Sequence, residues 1–239
     1  MKRPLSAVVP VYNEEMHIES LFRSLRDKVR DIPLEVLVVY DFDEDSTLPV
    51  VDRVRDDFPF TIRTVRNLYG RGALNAIRTG LRESTGDAAV VLMADLSDDL
   101  SIVPRMYDLV GEGYDVVCGS RYMKGGEQVG GPLLKKTLSR LAGVSLHSLT
   151  GIPTHDITNS FKMYSRRVHE SVEVESTGGF EIGMEITVKA YLAGFRIAEV
   201  PSVWRDREFG ESRFRTLAWL PRYLKWYFRA FGIYRRRPT

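Results

Sequence analysis

The chain has 239 residues, 44% of them hydrophobic and 28% charged, enough to bury one large α/β core without a second domain. The formal net charge of +2 does not demand nucleic acid or a membrane as partner, and no nucleic-acid role is expected. The single cysteine, Cys118, excludes an intramolecular disulfide and fits a reducing compartment.

The N-terminal "MKRPLSAVVPVYNEE" has a basic start but a short apolar run cut by Pro10, so it reads as a strand and not a signal peptide. "LSAVVPV" is the first strand. Ile18, Leu21, Phe22, Leu25 and Val29 then recur at helical spacing. "LEVLVVY" is a second buried strand, followed by a helix through Val50, Val51 and Val54, and "TIRTV" is the third. "GRGALNAIRTGLRES" predicts a helix with small Ala73, Ala76 and Gly80 on one face. "DAAVVLM" is the fourth strand, "SIVPRMYDLVGE" a helix, and "YDVVCGS" the fifth strand. Cys118 lies in that last run, where a small buried hydrophobe outweighs a catalytic thiol.

Near-continuous apolar strands alternating with helices indicate a parallel sheet covered on both faces. Ligands of such sheets bind beyond the carboxyl ends of the strands. The acidic segments "YNEE", "DFDEDST" and "ADLSDD" follow strands one, two and four. Each alone could be a solvated turn, but their common position points to a shared site.

The second half is less regular. "VGGPLLKKTLSRLAGVSLHSLTG" turns from glycine-rich to helical and basic. "DITNSFKMYS" has strand character, "GFEIGMEITVKAYLAG" is helical, "FRIAEVPSVW" is a strand and "RDREFGESRF" a polar loop. From Arg213 to Thr239 there are eight basic residues, no acidic one and many aromatics. Pro221 suits the first turn of a helix, in which Arg222, Lys225 and Arg229 share a face. A basic amphipathic helix with Trp and Tyr suits an anionic bilayer interface. "RRR" at 235–237 adds about 1 kcal/mol of attraction per charge near such a surface. The competing reading is a helix packed on the domain with its basic face in water. No stretch reaches the about 18 uninterrupted apolar residues of a membrane span, so the expected localisation is cytoplasmic and peripherally membrane-associated.

Crowded carboxylates at strand ends suit a nucleotide sugar, whose leaving diphosphate is commonly stabilised by Mg²⁺ or Mn²⁺ held on carboxylate. The motifs "VVPVYNEE", "DFDEDST", "GRGALNA", "MADLSDD", "GSRY", "DITNSFKMY" and "RDREFGESR" stand in the order of family 2 glycosyltransferases of the GT-A fold. The chain most resembles the dolichyl-phosphate mannosyltransferase, or polyprenyl-phosphate glycosyltransferase, branch over about residues 5–215. "GSRY" and "DRxxGES" are the more specific elements.

The resemblance implies a Rossmann-like, mostly parallel central sheet with helices on both faces. It implies a GT-A domain over residues 1–212 and a membrane-interfacial tail over 213–239. Pro10, Tyr12, Glu14 and Asp41 would line the base and ribose pocket, with Gly70, Arg71 and Gly72 close by. Asp95 would be the metal-binding aspartate of the D-x-D motif, joined by Ser97. Arg121, Lys135, Arg140, Arg207 and Arg213 would meet the phosphates of donor and acceptor, with Asp95, Arg121 and Arg207 carrying the chemistry.

Two positions depart from the family. Met93 and Tyr40 stand where it usually has aspartate, which marks either a variant or a degraded site. Asp98 or Asp99 could help hold a cation, although each reads more readily as a solvated helix-start residue. A lipid monophosphate is largely ionised at neutral pH, since its second pKa is about 6. It therefore needs positive charge and positioning and not a base. Glu181 and Glu185, four apart, could serve a hydroxyl acceptor or simply anchor a loop, and Asp156 reads as a loop anchor. His17, His147, His155 and His169 show no ligand spacing. The expected function is inverting transfer from a GDP-mannose or UDP-glucose type donor to a polyprenyl or dolichyl phosphate. The alternatives are transfer to a hydroxyl, or a non-catalytic nucleotide-sugar-binding relative.

Overall fold

The computed structural model describes residues 4–206 and 216–232. Seven strands form one sheet: β1 (Leu5–Pro10), β2 (Leu34–Tyr40), β3 (Thr61–Arg66), β4 (Ala88–Val91), β5 (Val116–Ser120), β7 (Lys162–Ser165) and β8 (Ile197–Pro201). Their order is β3-β2-β1-β4-β7-β5-β8, and all run parallel except β7. The five N-terminal strands fall where the apolar runs predict them. The interior strands β1, β2, β4 and β5 are mostly apolar on both faces because helices cover both, whereas edge strand β3 mixes Ile62 and Val65 with Thr and Arg.

Alternate strand residues feed two cores. On one face Ala7, Val9, Val36, Val38 and Val90 meet α1 (Ile18–Lys28), α2 (Thr47–Val54) and α4 (Val103–Gly111). On the other, Val8, Leu37, Val39, Ala89 and Val91 meet α3 (Ala73–Glu83), α6 (Arg166–Ser171) and α7 (Ile182–Leu192). The small face predicted for α3 lets it sit close to the sheet. A Cβ at Gly80 would stand 2.2 Å from a Val8 methyl.

The second half corrects three sequence expectations. Only Lys162–Ser165 of "DITNSFKMYS" is strand, and it inserts antiparallel between β4 and β5. Because β7 runs backwards, the loop entering it lies at the same sheet edge as the ends of its neighbours. "FRIAEVPSVW" splits after Pro201 into β8 and β9 (Val203–Arg205), and β9 leaves the sheet to pair with β6 (Glu127–Val129). Proline has no N–H with which to continue a ladder. Pro221 sits inside α8 (Thr216–Arg229) and does not start it. The cost of an interior proline is offset here by docking. Trp226 and Ala230 are buried in a third core with Leu146 of α5 (Leu133–Thr150) and Met184 and Val188 of α7.

No helix among the described residues is long and apolar enough to cross a membrane. The expected division at 212/213, with Arg207 and Arg213, falls outside the described residues.

Candidate active site

A cavity of about 870 Å³ opens beyond the carboxyl ends of β1, β2, β4 and β5. It is lined there by Pro10, Tyr12, Glu14, Asp41, Met93, Asp95, Ser97, Asp98 and Arg121, and on the β7 side by Thr158 and Asn159. The place where strand order reverses between β1 and β4 is the crevice that such sheets offer to ligands. From it the cavity runs between α5 and α8, past Leu138, Ala142, Phe180, Met184, Trp219, Leu220, Tyr223 and Leu224. One end is therefore carboxylate-rich and the other apolar and aromatic.

At the β1 end, Tyr12 packs edge-on against Phe42, with ring centroids 5.3 Å apart. Glu14 Oε2 lies 3.0 Å from His17 Nδ1. Asp45, buried in the "DFDEDST" turn, accepts from the backbone of Asn13 and Thr47 and so ties the first two strand ends together. Asp41 accepts from Gly72 N and from Asn67 Nδ2, each at 2.8 Å. It thereby holds the glycine loop against the cavity, which Gly72 lines. Gly70 and Arg71 do not line the cavity; the Arg71 guanidinium lies 5.5 Å from the centre of the Phe42 ring.

The β4 end is tightly organised. Ser97 donates to Asp95 Oδ1 from its hydroxyl at 2.6 Å and from its backbone at 3.1 Å. The side chain expected as a metal ligand thus orients the aspartate. Leu96 between them has φ of +56°, a left-handed conformation that costs a branched residue about 1 kcal/mol or more. Two backbone bonds from the β9 segment hold the turn: Asp99 N to Val203 O at 3.2 Å and Arg205 N to Ser97 O at 2.9 Å.

Asp98 is not the solvated residue the sequence suggested. It is 7% exposed, and its Oδ1 is buried without a hydrogen-bond partner among the described residues. Burial pushes its carboxyl up to about 7, opposed in part by Arg121 and reinforced by Asp95. Asp99, by contrast, caps the short turn after it by accepting from Ser101 N.

Arg121 is buried and gripped bidentately by Asp156, from Nε at 2.6 Å and Nη2 at 2.9 Å. Nη2 also reaches Ser139 and Thr158, while Nη1 makes no hydrogen bond among the described residues. Burial alone would raise the Asp156 pKa; the guanidinium and its hydrogen bonds outweigh that and hold it low. Asp156 is thus an anchor, as expected, with Arg121 as what it anchors. Buried Lys162 is spent on the carbonyls of Ile157 and Asn159. Lys135 lines the cavity; Arg140 is exposed on α5 and does not.

Glu181 and Glu185 are both buried and neither lines the cavity. Glu185 accepts from the backbone of Glu175 and Ser176, and Glu181 from Gly179, so both brace the loop before α7. Among the described residues no group of three or more His, Cys, Asp or Glu forms a metal cage. A hard divalent cation needs only one or two protein carboxylates when phosphate oxygens and water complete its shell. Asp95 together with the unpartnered oxygen of Asp98 fits that requirement.

Residues 6–172 match the sequence profile described as Glycosyl transferase family 2. The dolichol-phosphate mannosyltransferase of Pyrococcus furiosus is 29% identical over 232 residues, covering 93% of this chain but only 64% of its own length. The polyprenol monophosphomannose synthase of Mycolicibacterium smegmatis is 29% identical over 213 residues, covering 86% of this chain and 79% of itself. Glucosyl-3-phosphoglycerate synthase of Mycobacterium tuberculosis, solved with Mn²⁺, UDP and glucosyl-3-phosphoglycerate, superposes with a TM-score of 0.70 at 19% identity. That superposition covers 97% of this chain and 81% of the other, and it shows the shared GT-A fold.

Proposed function

Since the chain belongs to glycosyl transferase family 2, we propose that it transfers a sugar, with inversion, from a GDP-mannose or UDP-glucose type donor to a polyprenyl or dolichyl phosphate. The observation that carries this reading is the two-ended cavity. Its carboxylate end suits a nucleotide sugar with a cation, and its apolar end between α5 and α8 suits an isoprenoid chain. A small hydroxylic acceptor has no use for that second end.

In this reading Pro10, Tyr12, Glu14 and Asp41 border the nucleoside, with Gly70 and Arg71 behind them. Asp95 holds Mg²⁺ or Mn²⁺, which when bound stabilises the leaving diphosphate. The acceptor phosphate attacks the anomeric carbon opposite the leaving group and needs no general base. Arg121 offers its remaining Nη1 donors, and Lys135 a second charge, at the boundary between the two ends. Arg207, Arg213 and Arg140, the last exposed on α5 outside the cavity lining, complete the proposed phosphate-binding set. Exposed Leu133, Leu134, Leu141 and Leu149 on α5, with Leu224 and Phe228 on α8, support attachment at a membrane surface.

The test is incubation with a panel of GDP- and UDP-sugars, a polyprenyl phosphate and Mg²⁺ or Mn²⁺, with mass analysis of the lipid. The expected product is the acceptor plus one hexose. Asp95→Ala should reduce its formation on the order of a hundredfold or more. Nucleotide binding without any glycolipid would overturn the reading in favour of a non-catalytic relative.

A further inference from the structure

The turn after β4 contains a feature that the donor site as read above does not use. Asp98 is over nine-tenths buried, lines the same cavity as Asp95, and leaves Oδ1 without a hydrogen-bond partner among the described residues. Burying a carboxylate oxygen with nothing to bond is unfavourable unless a charge or donor meets it. Neither nearby cation bonds this oxygen: Arg121 turns Nε and Nη2 to Asp156, and Lys162 donates to the Ile157 and Asn159 carbonyls. The main chain on either side of Asp98 is pinned, through a bridge to Trp204 and the Asp99 bond to Val203. The oxygen is therefore held in place, not left over from a mobile loop.

The other side chain that borders Asp95 on the cavity wall is Met93. A thioether is a soft donor, whereas Mg²⁺ and Mn²⁺ select oxygen. Ser97 is directed at Asp95 itself. We propose that Asp98 is the second protein ligand of the donor-site cation, so that Asp95 and Asp98 together hold the metal against the diphosphate. This rests on the donor-site reading above. It assigns the metal pair to residues three apart across a left-handed turn. The conformation of Leu96 serves to bring both carboxylates to one wall.

The test is Mn²⁺ binding, followed by electron paramagnetic resonance of free Mn²⁺ in the presence of GDP or UDP. The proteins are the wild type, Asp98→Asn and the double variant Met93→Asp/Asp98→Asn. Asp98→Asn keeps the shape and removes a buried charge, so its melting temperature without metal should be at or above that of wild type. Its Mn²⁺ affinity should fall about tenfold or more, and Met93→Asp should restore most of the loss by returning a carboxylate to the wall. Equal Mn²⁺ uptake by wild type and Asp98→Asn overturns this inference and leaves the donor-site reading intact. Unchanged Mn²⁺ affinity with lost transfer also overturns it, and assigns Asp98 to proton transfer. Absence of nucleotide-dependent Mn²⁺ uptake by the wild type overturns both.

Discussion

Arg121 and Asp156 are 35 positions apart in the chain and meet in a bidentate ion pair under the cavity wall. The sequence offers Arg121 as a phosphate ligand or a surface charge, and Asp156 as a loop anchor. What makes them partners is β7, which runs antiparallel and so returns its entering loop to the end of β5. A buried pair of this kind contributes little relative to an apolar replacement, but removing one member leaves the other charge stranded. Arg121→Ala should therefore cost about 3–5 kcal/mol in urea unfolding. Asp156→Ala made in the same chain should recover part of that cost. A loss below about 1 kcal/mol would mean the pair is solvated and available to substrate.

At the scale of elements, α8 has two sequence readings, a helix at a bilayer interface and a helix packed on the domain with its basic face in water. It packs on the domain: Arg229 bonds Glu175 at 2.8 Å, with Lys225 3.9 Å away, and Lys189, Lys225 and Arg229 lie against the Trp226 ring. Trp226 is fully buried and donates to Ser176. Burial raises the Glu175 carboxyl, but its bonds to Arg229 and Lys189 outweigh this and bring it down from 4.5 to about 2. A depressed carboxylate contributes stability above its unfolded value and loses it as pH falls towards the folded one. The advantage of wild type over Glu175→Gln in melting temperature should thus be full at pH 7. It should shrink between about 4.5 and 2. An advantage that stays constant to pH 2.5 would place the anchoring of α8 elsewhere.

For the whole molecule, the two helices that frame the apolar end of the cavity also carry its exposed apolar side chains. Leu141 on α5 and Phe228 on α8 are 61% and 53% exposed. If that face enters a membrane surface, each side chain it inserts contributes roughly 1.5–3 kcal/mol. Leu141→Ser with Phe228→Ser should weaken binding to anionic vesicles by about tenfold or more, while changing stability by only about 0.5 kcal/mol per site. Vesicle binding that depends on salt but not on these two residues would show that the basic charges alone attach the protein.

The sequence by itself determined the first five strands, the helices between them, and the sheet edge to which their acidic turns come. Each of these is a local matter: period, length, and the rule that parallel strands deliver their ends together. It also located Asp95, because a buried strand leading into an acidic turn has one residue at its mouth. Tertiary structure alone decided the antiparallel insertion of β7, the departure of β9 after Pro201, the engagement of Arg121 and the burial of Asp98. It decided too that the aromatic tail helix closes a cavity with α5 while docking on the domain through Trp226. The physical reason is common to all of them. Whether a charged or aromatic side chain meets water, a counter-charge or another ring depends on segments far along the chain, and no local period encodes that meeting.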